Sequence, residues 1–432
     1  MKLLLKNGQV WLDDRLRPAQ ISVCDGIVSV ISSAAMDEGV FDRVFDLSGC
    51  VVFPGFCDVH VHLREPGFSE KETIRTGSRA CAAGGYTTVC AMPNLSPAPD
   101  SPEHLAVEEA LIARDAVIRV LPFASITVGQ RGEGELVDFD ALAPRVAGFS
   151  DDGRGVKTAE TMRGAMTACR KAGSLISAHC EDMELIPPGG CCHAGEWAAG
   201  HGLPGIPSES EWKPIERDIA LVRETGCRYH VCHVSCRESV ELIRRAKAEG
   251  LPVSCETAPH YLLLCEEDLP EEPLSADAAR FKMNPPLRSA RDRDALLEGL
   301  LDGTIDCIAT DHAPHTAEEK TRGFLKAPMG IVGIETAFPL LYTHLVETGR
   351  LPLSLLVEKL TDTPRRLFGL DGGLQLGGRA ELSVWDLNAD GRVEPSRFLS
   401  MGRATPFAGW PVHARCRLTV CGDRVAYEDL RG

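Results

Sequence analysis

Short apolar, β-branched runs alternate with longer amphipathic stretches through the middle of this chain. Eight such runs fall at residues 56–62, 87–92, 118–124, 146–150, 175–179, 229–233, 253–257 and 305–311. Between most of them lie segments of helical period, at 70–83, 103–115, 158–172, 216–225 and 237–249. A brief apolar run bounded by turn residues reads as a strand buried on both faces, whereas a 3.6-residue period reads as a helix with one apolar stripe. Strand and helix alternating over eight strands predict a (β/α)8 TIM-like barrel of the α/β class. An open doubly wound sheet competes, but no Gly-rich dinucleotide fingerprint follows the first strand. The two ends differ from the middle. Residues 1–10 and 19–31 alternate like hairpin strands, with turns expected at Asn7-Gly8 and Asp25-Gly26. Near the other end Gly377-Gly378 precedes a strand-like run at 380–386, and another follows at 415–420. The expected organisation is a small β-sandwich domain built from residues 1–53 and 375–432, beside a barrel spanning 54–374. Gly/Pro-rich connections at 187–207 and 314–333 follow the fifth and eighth strands, where barrel loops build sites and lids.

Composition narrows the class. The 432 residues are 44% hydrophobic and 25% charged, and no apolar run approaches the length of a membrane span. Formal net charge is −16, from 46 basic and 62 acidic residues, with no dense Lys/Arg block. This argues against nucleic acid and anionic membrane surfaces as partners. The 17 cysteines are odd in number, scattered and without a Cys-x-x-Cys, and no secretory signal precedes them. They read as reduced thiols of a cytoplasmic protein. Cys191-Cys192 beside His193 reads as bystander chemistry in a loop.

Polar residues then fall where this architecture places its chemistry, at the C-terminal ends of barrel strands. His60 and His62 end the first strand, two residues apart and so on one side of it. The second strand leads to Asn94, the fourth to Asp151-Asp152, the fifth to His179, the sixth to His233 and the eighth to Asp311. A strand-end Asp commonly caps a turn and a single His commonly packs in a core, but this many at one rim is a constellation. Four imidazoles and two carboxylates exceed one tetrahedral zinc and fit a binuclear site with open positions. The expectation is metal-dependent hydrolysis. Neighbouring strand residues point oppositely, so only one of Asp151 and Asp152 reaches the metals.

Five motifs carry a resemblance. They are residues 54–67 (Pro-Gly-Phe-Cys-Asp-Val-His-Val-His-Leu-Arg-Glu-Pro-Gly), Met92-Pro93-Asn94, Ser150-Asp151-Asp152-Gly153, residues 282–288 (Lys-Met-Asn-Pro-Pro-Leu-Arg) and residues 310–315 (Thr-Asp-His-Ala-Pro-His). In this order and spacing the chain resembles dihydroorotases of the long bacterial (class I) type, in the cyclic-amidohydrolase superfamily. The resemblance implies reversible cyclisation of N-carbamoyl-L-aspartate to L-dihydroorotate in pyrimidine biosynthesis, with two zinc ions. It assigns His60, His62 and Asp311 to one metal, His179 and His233 to the other, and Asp152 to the bridge, Asp151 being second choice. It gives Arg64, Asn94 and His315 to the substrate carboxylate, Asn284 to the pyrimidine ring, and proton shuttling to Asp311. Many relatives bridge their metals with a carboxylated lysine, and its absence here counts against the alternatives of allantoinase and hydantoinase. A silent scaffold for aspartate carbamoyltransferase is the third reading, and it would be expected to have lost ligands. Association with that transferase, and a homodimer, are the partners the resemblance and general habit imply. The segment 405–410 resembles a family C-terminal segment, with Ala408 where an acid is common, and is assigned to structure.

Overall fold

Five strands open the chain in the computed structural model, which describes residues 1–430. They are β1 (Lys2–Leu12), β2 (Arg15–Cys24), β3 (Ile27–Ser32), β4 (Arg43–Asp46) and β5 (Val51–Pro54). β1 pairs antiparallel with β2 and parallel with β4 and β5. The Asn7-Gly8 signal is not a turn. β1 runs through it with a register shift between Leu5 and Gly8, and Asn7 takes φ 64°. The reversal comes at Asp13-Asp14, with φ 51° and 59°. Asn and Gly suit any left-handed position, so the same pair marks a bulge as readily as a turn.

The barrel strands follow: β6 (Phe56–Val61), β7 (Tyr86–Ala91), β8 (Arg119–Pro122) and β9 (Leu175–Ala178), then β12 (Arg228–Val231), β13 (Val253–Thr257) and β14 (Cys307–Ile308), while the two-residue β10 (Cys192–His193) and β11 (Gly205–Ile206) pair with each other in the connection after β9. β6, β7 and β8 pair in parallel, as do β9, β12, β13 and β14. Two junctions close the ring. The expected fourth strand, 146–150, forms no regular strand, but Phe149 bridges both Ala124 and Ile176. The Ala147 and Ser150 N–H groups donate to Pro122 and Ala124, and Phe149 N–H donates to Leu175. On the far side His62 N–H donates to the His312 carbonyl at 2.9 Å. Cys57, Val59, Cys90, Met92, Phe123, Cys232, Cys307 and Ala309 fill the space beneath the rim.

The fifth barrel helix spans Glu209–Thr225 rather than 216–225, running through Pro214. Pro214 cannot donate to the Ser210 carbonyl, and that carbonyl instead accepts from Asp182 N–H at 2.7 Å. The chain returns to the first sheet as β15 (Glu381–Arg392), β16 (Pro411–Cys421) and β17 (Arg424–Glu428), in the order β17-β16-β15-β5-β1-β2-β3. Leu3, Leu5, Ile21 and Val23 face Leu382, Val384, Leu418 and Val420 in one apolar layer. The two termini thus build one sheet folded on its own core. Among the described residues no helix is long and apolar enough to cross a membrane.

Candidate functional site

Six side chains converge at the rim, five from the ends of β6, β9, β12 and β14, and Asp152 from the irregular segment between β8 and β9. The His60 and His62 rings lie 5.4 Å apart. Asp152 Oδ1 is 3.4 Å from His60 Nε2, 3.5 Å from His179 Nδ1 and 3.6 Å from His233 Nε2, while its Oδ2 is 3.6 Å from His62 Nε2. Asp311 Oδ1 lies 3.1 Å from His62 Nε2 and 3.6 Å from His60 Nε2. His179 Nδ1 and His233 Nε2 are 3.0 Å apart. Two donors bound about 2.0 to 2.1 Å from one tetrahedral zinc sit about 3.3 Å apart, so these separations suit ligands sharing cations. His60 Nε2 and Asp152 Oδ1 are moreover buried without a hydrogen-bond partner among the described residues, an expense folded proteins avoid unless the group binds something else. The donor set fits a metal ion.

The backbone is bent to deliver these groups. His233 and Asp311 adopt φ 34° and 48°, and Arg64 adopts 61°. Non-glycine residues held there cluster at binding sites because neighbours overdetermine them. Asp58 is one such anchor: its carboxylate accepts from Thr310 N–H and hydroxyl and from His60 N–H, tying β6 to the turn that carries Asp311. Burial pushes the Asp58 carboxyl up to about 7. Burial also pushes Asp311 up, but His62 and His60 hold it down to about 2. Asp152 is likewise held well below the carboxylate range against its burial, chiefly by His60.

Asp151 is occupied elsewhere. It accepts from Ile126, Thr127 and Gly132 N–H and from the Thr127 hydroxyl, fixing a loop. Nine of the ten expected site residues line one cavity of about 360 Å³; His60 lies beneath it, 0% exposed. Arg64 supplies the cationic end of this cavity, with His315 beside it. Half-buried Arg64 donates to the Pro314 carbonyl at 3.2 Å and lies 3.5 Å from His315 Nε2. Among the described residues it makes no carboxylate ion pair within 4.0 Å. Burial and the charges of Arg64, Lys71 and Lys320 push His315 down to about 3, so it is neutral at pH 7. Asn94 donates to the Asp152 carbonyl at 2.7 Å and Asn284 to Glu181 at 2.9 Å.

Sequence reasoning missed three supports. Glu256, on β13, accepts from His60 Nδ1 at 2.7 Å and from His230 at 3.1 Å. Glu181 accepts from His179 Nε2 at 3.0 Å. Lys320 donates to two carbonyls in the loop bearing His315, those of Pro328 and Gly330, and to that of Lys282 in the segment leading to Asn284. The strand-end rule could have found Glu256; the other two follow only from the fold. His312 packs, with Nδ1 accepting from Gly333 N–H and Nε2 3.7 Å from Glu72. His193 is not part of the donor cluster and lies against Arg288 at 3.2 Å.

The family model described as Dihydro-orotase-like matches residues 49–239. A dihydroorotase of Geobacillus kaustophilus (strain HTA426) is 49% identical over 434 residues, covering all of both chains. One of Staphylococcus aureus (strain MRSA252) is 49% identical over 98% of this chain and 99% of its own. Among solved structures, the L-hydantoinase (dihydropyrimidinase) of Arthrobacter aurescens matches with a TM-score of 0.86 at 28% identity, over 99% of this chain and 96% of that one. A barrel with a terminal β-sandwich is common to that fold, and the identity to the two full-length relatives is decisive within it: the chain belongs to the dihydroorotase family.

Proposed function

We propose that this chain is a zinc-dependent dihydroorotase that interconverts L-dihydroorotate and N-carbamoyl-L-aspartate in the cavity at the barrel rim. One observation carries the reading beyond the fold. Among the described residues the Arg64 guanidinium lines the cavity without a carboxylate ion pair, in the same cavity as a cluster of metal-type donors. Such a group calls for an anionic ligand, and a carboxylate matches its fork. His60, His62 and Asp311 would hold one zinc, His179 and His233 a second, with Asp152 between them. When bound, zinc supplies Lewis acidity toward a carbonyl and lowers the pKa of water to about 7.

The chain's own residues do the rest. Arg64, with Asn94 and His315, would seat the substrate carboxylate at the cationic end and so fix which ring carbonyl faces the donors. Asp311 engages His62 through Oδ1, and its Oδ2 makes no protein hydrogen bond among the described residues. That oxygen can take a proton from the attacking water and return it to the leaving ring nitrogen, the two steps reversing in synthesis. A homodimer and a complex with aspartate carbamoyltransferase belong to the proposal through the family resemblance.

The test is turnover of dihydroorotate against allantoin and hydantoin, with zinc per chain measured on the same sample. Dihydroorotate is expected to be the preferred substrate, with activity lost on chelation and restored by zinc. Arg64→Ala is expected to lower turnover by about two orders of magnitude with zinc retained. Zinc-loaded wild type that opens only another ring would move the substrate assignment to a sister enzyme.

A further inference from the structure

Glu181 stands in the wall of the cavity, two residues past His179, and its two oxygens serve different partners. Oε2 accepts from His179 Nε2 at 3.0 Å and Oε1 from the Asn284 amide at 2.9 Å. The backbone is fixed just beyond it, where Asp182 N–H donates to the Ser210 carbonyl. An ionised carboxylate only accepts, so both partners must turn a nitrogen toward it. For His179 this uses Nε2 and leaves Nδ1 facing Asp152 and His233. For Asn284 it uses the NH2 group and leaves Oδ1, which has no protein partner among the described residues. We infer that Glu181 is a positioning residue that sets the polarity of this wall: by fixing the Asn284 amide it presents an acceptor, selecting a cyclic ligand whose facing edge carries an N–H. The inference rests on the dihydroorotase reading and adds a specificity element to it.

An exchange of polarity tests it. KM and kcat for dihydroorotate, with zinc per chain, are measured for wild type, Glu181→Gln, Asn284→Asp and the double variant. In Glu181→Gln the new amide accepts from His179 through its oxygen, so its nitrogen meets Asn284 and forces that amide to flip. The cavity then shows an N–H where it showed an acceptor. KM is expected to rise about tenfold, with kcat within about threefold and zinc retained. Asn284→Asp alone sets a second carboxylate against Glu181 and is expected to be weaker still. In the double variant net charge equals that of wild type. The new amide donates to the new carboxylate, whose other oxygen again accepts, and KM is expected to return to within about threefold of wild type.

A double variant no better than Glu181→Gln, or an unchanged KM in Glu181→Gln, overturns the inference. If Glu181→Gln loses zinc, the comparison passes to chains that keep Glu181. Asn284→Asp weaker than Asn284→Ala then supports it, and equal or stronger overturns it. Wild type that does not turn over dihydroorotate would sink the functional reading itself, whereas an overturning pattern on an active wild type leaves that reading standing.

Discussion

His60 offers the donor cluster only one nitrogen because the other is already engaged. Its Nδ1 donates to Glu256, and the second Glu256 oxygen accepts from His230, whose Nδ1 meets Ser254 at 2.8 Å. This chain fixes the tautomer, so that Nε2 is the unprotonated nitrogen available to a cation. Burial would push the Glu256 carboxyl up, but His60 and His230 hold it well below the usual range. Losing such a support typically costs 10- to 100-fold in metal affinity. Glu256→Gln is therefore expected to weaken zinc about 10- to 100-fold in competition with a chelating dye, with far-UV circular dichroism unchanged. Unchanged affinity would reduce Glu256 to packing. At this scale the donor cluster was legible because imidazoles are scarce and recur at strand ends. Glu256 and Glu181 were not, since one acid among 62 acidic residues has a solvated surface as its default.

The connection after β14 shows what an element adds. The Lys320 ammonium is buried, and it donates to the carbonyls of Lys282, Pro328 and Gly330 at 3.1, 3.0 and 2.8 Å. One side chain thus ties the segment leading to Asn284 to the loop whose Met329 carbonyl faces His315 Nε2 at 2.8 Å. Gly330 closes the same corner at φ 132°, where a Cβ would stand 2.9 Å from His315 Nε2. Burial, then the neighbouring Lys282, pushes Lys320 down to about 7. The folded value lies below the unfolded one near 10.4, so between about pH 7 and 10 the unfolded chain binds the extra proton. This group therefore makes stability rise with pH across that window. Lys320→Met is expected to remove that rise and to raise KM about tenfold with zinc retained, while the melting temperature at pH 7 does not fall. A lower melting temperature with unaltered KM would make the lysine a stability element instead. The length and Gly/Pro content of this loop were readable, but its tether was not, because three backbone carbonyls leave no pattern in sequence. Strand four and the helix start before Pro214 were missed for a related reason. Bridges to two neighbours and a carbonyl satisfied from another loop are long-range events that local periodicity does not encode.

Across the whole molecule, the terminal sheet and the barrel share one buried ion pair among the described residues. Arg365 donates to Glu381 at 2.9 Å and to the Gly55 carbonyl at 2.7 Å, where β5 hands over to β6. Glu381 opens β15, is 0% exposed, and also accepts from the Thr87 and Thr88 hydroxyls of β7 at 3.3 and 3.1 Å. That both ends are β-rich could be read from alternation, but their joining through a carboxylate some 300 residues from its threonine partners could not. Such a pair is costly to break because the survivor stays charged in an apolar setting. Arg365→Met is expected to lower unfolding free energy by about 3–5 kcal/mol. Arg365→Met with Glu381→Leu is expected to recover most of it, since no charge is left unpaired. Denaturant unfolding of the two variants decides between this and a mere docking contact. A loss below about 1 kcal/mol in the single variant, in the range of an exposed pair, would mean that sheet and barrel hold together through their apolar surfaces alone.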